Sequence, residues 1–154
     1  RVLPYYLVYR AMVRAKVAAL QLEQSFASRK LDMLNALVAW AKEHGRFDDP
    51  IVQSRMGEAK AAIEAARMLA YRVVDERAHK MPPGPNAYVA RVSMVRAEKQ
   101  VAELALWLMG EQGLDGESLA GHTFYPTLTA GVAGGTYEVQ LNLVAGLVLQ
   151  LPRR

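Results

Sequence analysis

The feature that most constrains the fold is a run of apolar residues at helical spacing near the middle of the chain. Its members lie alternately four and three positions apart: Val52, Met56, Ala59, Ile63, Ala66, Ala70 and Val73. Because an α-helix turns once in about 3.6 residues, this spacing places all of them on one face of a helix. A helix with a continuous apolar face must bury it against other elements, so the run predicts a helical bundle.

Shorter apolar stripes with the same period occur before and after this run. They consist of Leu31, Leu34, Val38 and Ala41, of Val101, Leu104, Ala105 and Leu108, and of Val139, Leu143, Val144, Leu147 and Leu151. Clusters rich in glycine, proline, aspartate and asparagine separate them, as is typical of turns and helix ends. Among these, Asp49-Pro50 predicts an N-cap followed by proline at the first helical position, and Asn86 predicts the next N-cap. These patterns predict helices over about residues 5–28, 30–44, 50–79, 87–110 and 136–150. The first two could also form one long helix that bends near Ser28.

The sequence contains no convincing strand. The one segment with alternating polarity, residues 123–132, is short and contains Pro126, which interrupts strand pairing. We therefore predict an all-α protein. Its helices form an antiparallel four-helix bundle with an additional N-terminal helix or helix extension, in a single domain over residues 1–154.

Composition excludes several classes of function. The chain has no cysteine, which rules out disulfides and thiolate chemistry. Its net charge is +4 with dispersed basic residues, so we expect no nucleic-acid partner. No apolar run approaches the roughly 18 residues of a membrane span, and the first residues do not resemble a signal peptide. The three histidines are far apart in sequence, so no metal site is expected. We expect a soluble, cytoplasmic protein. Because the chain does not begin with Met, we also expect it to be a fragment of a longer protein.

A glycine-rich turn before the last stripe is the strongest candidate for a binding site. Gly134 and Gly135 would let the backbone approach a bulky ligand closely. Thr136 is a suitable N-cap for the helix that follows, and the free N–H groups of that helix would face the same place. Glu138 suits the first turn because of the helix dipole. An ordinary helix start explains the same residues, so both interpretations remain open.

Several segments, taken in order, resemble the C-terminal domain of the acyl-CoA dehydrogenases. They are residues 37–52, 63–70, 103–114 and 133–144, followed by the terminal Leu151-Pro152-Arg153. The resemblance covers about residues 23–154, and residues 1–22 do not match. It implies a four-helix bundle that packs against other bundles at the centre of a tetramer and helps to bind the FAD of a neighbouring subunit. Family members use FAD and a glutamate base to remove two hydrogens from the α and β carbons of an acyl-CoA.

The resemblance also suggests roles for individual residues. It implies that Gly134, Gly135, Thr136 and Glu138 bind the FAD cofactor, and that Glu23 is the candidate catalytic base. Many members carry their base at the position of Gly134, which cannot move a proton.

Other positions depart further from the family pattern. The family's flavin-contacting Arg-x-x-Phe-Gly pattern is absent, and Arg46-Phe47 is only a poor echo of it. Trp107 stands where the family has a glutamine before the glycine-rich turn that starts at Gly110. These losses weaken a site for a pyrophosphate and a flavin ring.

Two hypotheses follow from these matches and departures. In the first, the chain is the C-terminal bundle of an acyl-CoA dehydrogenase-like flavoprotein, contributes to FAD binding and oligomerisation, and is inactive alone. In the second, it is a non-catalytic oligomerisation module or partner subunit without flavin. Residues 104–109 are all apolar, which is more than one buried stripe needs. We therefore expect a homo- or hetero-oligomer in either case.

Overall fold

Each apolar stripe is helical as predicted, except that Leu151 of the last stripe lies beyond the end of its helix. The structure is a computed structural model that describes residues 28–82, 84–129, 132 and 136–152. The helices are α1 (28–43), α2 (Pro50–Ala78), α3 (Asn86–Met109), α4 (Leu119–Phe124) and α5 (Tyr137–Leu147). No strand occurs within these ranges, which confirms the all-α prediction. The helix predicted over about 5–28 lies outside the described residues, apart from its last residue.

The apolar seam of α2 forms the centre of the core. Every residue that the spacing assigned to it is buried. The seam packs on α3 through Val101, Leu104, Ala105 and Leu108, which are buried as well. Leu34, Leu37 and Ala41 of α1 belong to the same cluster of buried side chains. Because the connections 44–49 and 79–85 are short, α1, α2 and α3 are consecutive antiparallel neighbours.

Local side-chain chemistry sets where α2 begins and where α3 follows it. Asp49 is the N-cap of α2 and accepts a hydrogen bond from the backbone N of Ile51 at 2.8 Å, and Pro50 is the first helical residue. Asn86, which we expected to cap α3, does not cap it. Its side-chain amide donates instead to the carboxylate of Glu76, and Pro85 occupies the cap position without a side-chain hydrogen bond. The asparagine therefore joins the end of α2 to the start of α3.

The segment between α3 and α5 contains elements that the sequence did not predict. Gly110–Leu114 and Tyr125–Leu128 form short 3₁₀ helices on either side of α4. Ser118 caps α4 by accepting from the backbone N of Gly121 at 2.9 Å, and the buried Thr123 donates to the carbonyl of Leu119 at 2.6 Å. The glycines of this segment indicated a break between helices because glycine has a poor helix propensity. Short helices form there nevertheless because local side-chain hydrogen bonds stabilise them.

The last helix is shorter and more exposed than predicted. Helix α5 ends at Leu147 rather than near residue 150, and it packs on α3. Val139, Leu147 and Leu151 of its apolar stripe are exposed. The described part of the chain therefore leaves much of this stripe uncovered.

Neither a membrane span nor a metal cluster is found in the part of the chain that the structure describes. No helix there is long and apolar enough to cross a bilayer. No three histidine, aspartate or glutamate side chains converge there as a metal ion would require.

Gly121 in α4 lies very close to the backbone of Asp115 and Gly116, and this predicts how a substitution there changes stability. A Cβ atom at Gly121 would overlap the backbone carbonyl oxygens of Asp115 and Gly116. Side-chain rotation cannot relieve contacts with backbone atoms, so we expect Gly121→Ala to lower the free energy of unfolding by about 1–3 kcal/mol. Urea denaturation of the purified chain would measure the difference.

Gly57 offers a matched control with the opposite expected sign. It lies in α2, and an added Cβ would meet no atom within 4 Å. Because glycine costs about 0.5–1 kcal/mol in a helix interior, Gly57→Ala should stabilise the protein by about that amount. Equal effects of the two substitutions would contradict the close approach described at Gly121.

Candidate functional site

The N-terminus of α5 is built around Thr136. This residue has an extended backbone (φ −63°, ψ 157°), and its hydroxyl oxygen accepts from the backbone N of Val139 at 3.3 Å. Its carbonyl accepts from the backbone N of Gln140 at 3.0 Å, which begins the helix. The predicted N-cap is therefore confirmed. As at any helix start, the first N–H groups point out of the helix and favour an electron-rich ligand.

The side chains around this helix start differ in exposure. Thr136 and Glu138 are exposed, whereas Tyr137 is half-buried and Gln140 is buried. The Lys99 ammonium of α3 lies 5.3 Å from the centre of the Tyr137 ring, which holds the first turn of α5 against α3. Gly134, Gly135 and the candidate base Glu23 lie outside the described residues. Of the predicted site residues, the structure thus places Thr136 and Glu138 at one exposed helix start.

A groove opens beside the first turn of α5. Its volume is about 790 Å³, and it is lined by α2, α3 and Tyr137. The charged lining residues are Arg55, Arg96, Lys99, Glu58 and Glu103. None of these five forms an ion pair with another residue within the described ranges. The groove is accordingly a polar surface, in which Arg55 and Lys99 also lie over the rings of Trp107 and Tyr137 at 4.1 and 5.3 Å.

Sequence reasoning missed this groove. Its lining residues come from two helices and follow no motif. Their shared position depends on how α2 and α3 pack, and no spacing along the chain could have indicated it.

A second polar cluster lies at the corner where α1 turns into α2 and α3 ends. The Arg55 guanidinium lies 4.1 Å from the centre of the Trp107 ring, and the Arg46 guanidinium lies 5.9 Å from it. Arg46 also donates from Nη1 to the carbonyl of Leu108 at 3.1 Å, in the last turn of α3. The indole is 36% exposed. We call Arg46, Arg55 and Trp107 the corner cluster; it joins the 44–49 turn, α2 and α3.

These two places fit a flavin nucleotide differently. The start of α5 fits one, because its N–H donors point out of the helix and the Glu138 carboxylate can accept from a ligand N–H or hydroxyl. At the corner, a planar ring system would have to displace Arg55 to stack on the face of Trp107 that this guanidinium covers. Arg46 keeps further N–H donors besides the one bonded to Leu108.

Comparison with known proteins identifies the class to which this bundle belongs. The family profile of the acyl-CoA dehydrogenase C-terminal domain matches residues 10–149. The chain therefore belongs to the acyl-CoA dehydrogenase family. The match begins at residue 10, so the sequence motifs, which indicated a start near residue 23, underestimated the extent of the likeness.

Individual relatives agree with the family match. The chain is 30% identical over 124 residues to the acyl-CoA dehydrogenase IpdE1 of Mycobacterium tuberculosis, covering 78% of this chain and 32% of that protein. It is 25% identical over 122 residues to the mitochondrial short-chain specific acyl-CoA dehydrogenase of Bos taurus, covering 76% and 30%. The chain thus spans about a third of the length of the curated relatives it matches.

A solved structure supports the bundle architecture. A variant of the Tcur3481-Tcur3483 steroid ACAD superposes with a TM-score of 0.71 and 25% identity, over 83% of this chain and 36% of that one. The predicted fold, the helical bundle of an acyl-CoA dehydrogenase C-terminal domain, is therefore confirmed.

The cap at Thr136 gives a direct test of how the helix start is built. Thr136→Ala removes the oxygen that accepts from Val139, and such a loss costs about 1 kcal/mol. We expect the amides in the first turn of α5 to exchange hydrogen about fivefold faster, measured by mass spectrometry. Thr136→Ser keeps the acceptor and should leave the exchange near the wild-type rate. Equal exchange in the alanine and wild-type proteins would show that the cap does not hold this turn.

Proposed function

We propose that this chain is the C-terminal helical bundle of an acyl-CoA dehydrogenase-like flavoprotein that introduces an α,β double bond into an acyl-CoA. In this proposal the start of α5 faces the FAD, and the exposed apolar residues near the C-terminus contact other subunits. The family match supports the proposal, and the observation that carries it is the capped, exposed start of α5 beside an open polar groove.

The reaction needs two hydrogen-accepting groups. A base removes a proton from the α carbon of the acyl-CoA, and the flavin, when bound, takes a hydride from the β carbon. Within this chain Gly134, Gly135 and Thr136 would bring backbone N–H groups to the cofactor, and Glu138 would accept from one of its N–H or hydroxyl groups. Glu23 is the base that we propose, because Gly134 has no side chain to take the proton.

The chain alone should not catalyse this reaction. It spans about a third of its curated relatives, so the surfaces that enclose the acyl-CoA and the rest of the cofactor come from other parts of the assembly. A catalytic base must lie within hydrogen-bond reach of the proton it removes, and only an enclosing assembly fixes that distance.

The apolar surface near the C-terminus is the proposed interface. We call it the α5 surface and define it by the exposed apolar residues at the end of α5 and directly after it, which are Leu147, Val148, Leu149 and Leu151. Each fully buried aliphatic side chain contributes about 1.5–3 kcal/mol, so covering several of them drives association. We propose a homo- or hetero-oligomer in which this surface is buried between bundles.

A non-catalytic partner subunit without flavin is the second candidate function. The corner cluster favours it, because an indole ring in contact with Arg55 lies where the family resemblance implies a glutamine. Titration of FAD into the assembled full-length protein separates the two candidates. Saturable binding with a bound-flavin absorption spectrum is the result expected for the first, and no binding up to millimolar FAD is the result expected for the second.

The α5 surface generates a prediction about assembly. Replacing both Leu147 and Leu149 by Glu should weaken self-association or partner association about a hundredfold, because at least about 3 kcal/mol of apolar burial is lost. Light scattering over a concentration series measures the change in mass.

Met68 offers a matched control for that experiment. It is 62% exposed on α2 and lies outside the α5 surface. Met68→Glu should leave the oligomer intact. If the Leu147/Leu149 variant kept the wild-type mass at every concentration, this surface would not be the interface.

A further inference from the structure

The polar groove beside α5 is one end of a longer trough between α2 and α3. The groove of about 790 Å³ meets a second cavity of about 400 Å³, and Glu58 and Arg96 line both of them. We call the two cavities together the α2–α3 trough. It runs along residues 50–65 of α2 and 93–104 of α3.

Four exposed charged side chains alternate in sign around the middle of the trough. Glu58 of α2 and Arg96 of α3 lie where the two cavities meet, so they share one level along the trough. Arg55 of α2 and Glu103 of α3 line the first cavity only, so they share the next level towards the start of α2. Each helix therefore carries one cation and one carboxylate, and each level has opposite signs on its two sides.

Contacts within the chain leave these charges without a counter-charge. None of the four belongs to an ion pair among the described residues. Arg55 lies over the Trp107 ring, and the third cation of the groove, Lys99, lies over the Tyr137 ring. Because an aromatic ring has no net charge, these contacts do not neutralise either cation.

The alternating pattern is complementary to a second copy of itself. When two identical faces meet, the two-fold axis that relates them lies in the plane of contact. An axis along the helices places Arg55 opposite Glu103 of the second copy, and Glu58 opposite Arg96. An axis across the helices places Arg55 opposite Glu58, and Glu103 opposite Arg96. In both arrangements every cation faces a carboxylate, whereas a partner with charges of one sign would meet two like charges.

We propose that the α2–α3 trough is a contact face for a second copy of this chain, in addition to the α5 surface. The trough is about 22 Å long and about 20 Å wide across its two helices, so it buries roughly 400 Å² per copy. A stable interface buries roughly 800 Å² per partner, so the trough acts together with the α5 surface and fixes how two bundles are oriented. The contact involves no flavin and thus goes beyond the proposed function.

Complementary charge reversals test the proposal for either axis. Arg55→Glu with Arg96→Glu makes all four groups negative, and Glu58→Arg with Glu103→Arg makes all four positive. Each double variant of the full-length protein should self-associate at least about tenfold more weakly than the wild type, because like charges then face each other. An equimolar mixture of the two should regain the wild-type mass. Sedimentation velocity over a concentration series at low salt measures both results.

A matched control changes the net charge by the same amount outside the trough. Lys60 lies on the α1 side of α2, and Lys80 lies in the turn after α2. Lys60→Glu with Lys80→Glu should keep the wild-type mass.

The wild-type protein gives a second measurement that needs no variant. Raising the salt from about 0.05 to about 0.5 M should weaken its self-association about tenfold, because salt screens charges and does not weaken apolar burial at the α5 surface.

Three results would overturn the proposal. They are wild-type mass in both double variants alone, an equimolar mixture that does not regain the wild-type mass, and a wild-type protein that stays monomeric at every concentration. The outcome is separate from that of the proposed function. Recovery in the mixture supports the trough even in a protein without flavin, and failed recovery in a flavin-loaded protein contradicts only the trough.

Discussion

The packing of the α2 seam against α3 is the contact on which the rest of the structure depends. The seam and its partner residues on α3 are almost completely buried, and α1 adds Leu34, Leu37 and Ala41 to the same cluster. All later elements, from the first 3₁₀ helix to α5, pack on α3 or on each other. The position of α3 on α2 therefore determines where the α5 start, the polar groove and the corner cluster lie.

Much of this architecture is predictable because it follows from periodic burial. The spacing of the α2 seam identified its buried residues, and the Asp49-Pro50 and Thr136 signals identified two helix starts. The sequence predicted the local structure less well where single hydrogen bonds determine the backbone conformation. Helix α4 depends on Ser118 and a close approach at Gly121, and Asn86 bonds to Glu76 instead of capping its own helix.

Only those residues of the candidate site that are close together in the sequence could be predicted. Thr136 and Glu138 follow each other along one helix, so motif reasoning placed them together. The groove and the corner cluster combine residues about fifty positions apart, such as Arg55 and Trp107, and their proximity is a product of helix packing. Trp107 was recognised as a departure from the family pattern, but its two arginine neighbours could be named only from the structure.

The central claim is the proposal that the start of α5, which is capped by Thr136 and exposed, faces the cofactor. The most direct test is an experimental structure of the flavin-loaded, full-length assembly. We predict a flavin atom within hydrogen-bond distance of Thr136 or of the first backbone N–H groups of α5. A cofactor that lies far from Thr136 and from the first turn of α5 would contradict the claim.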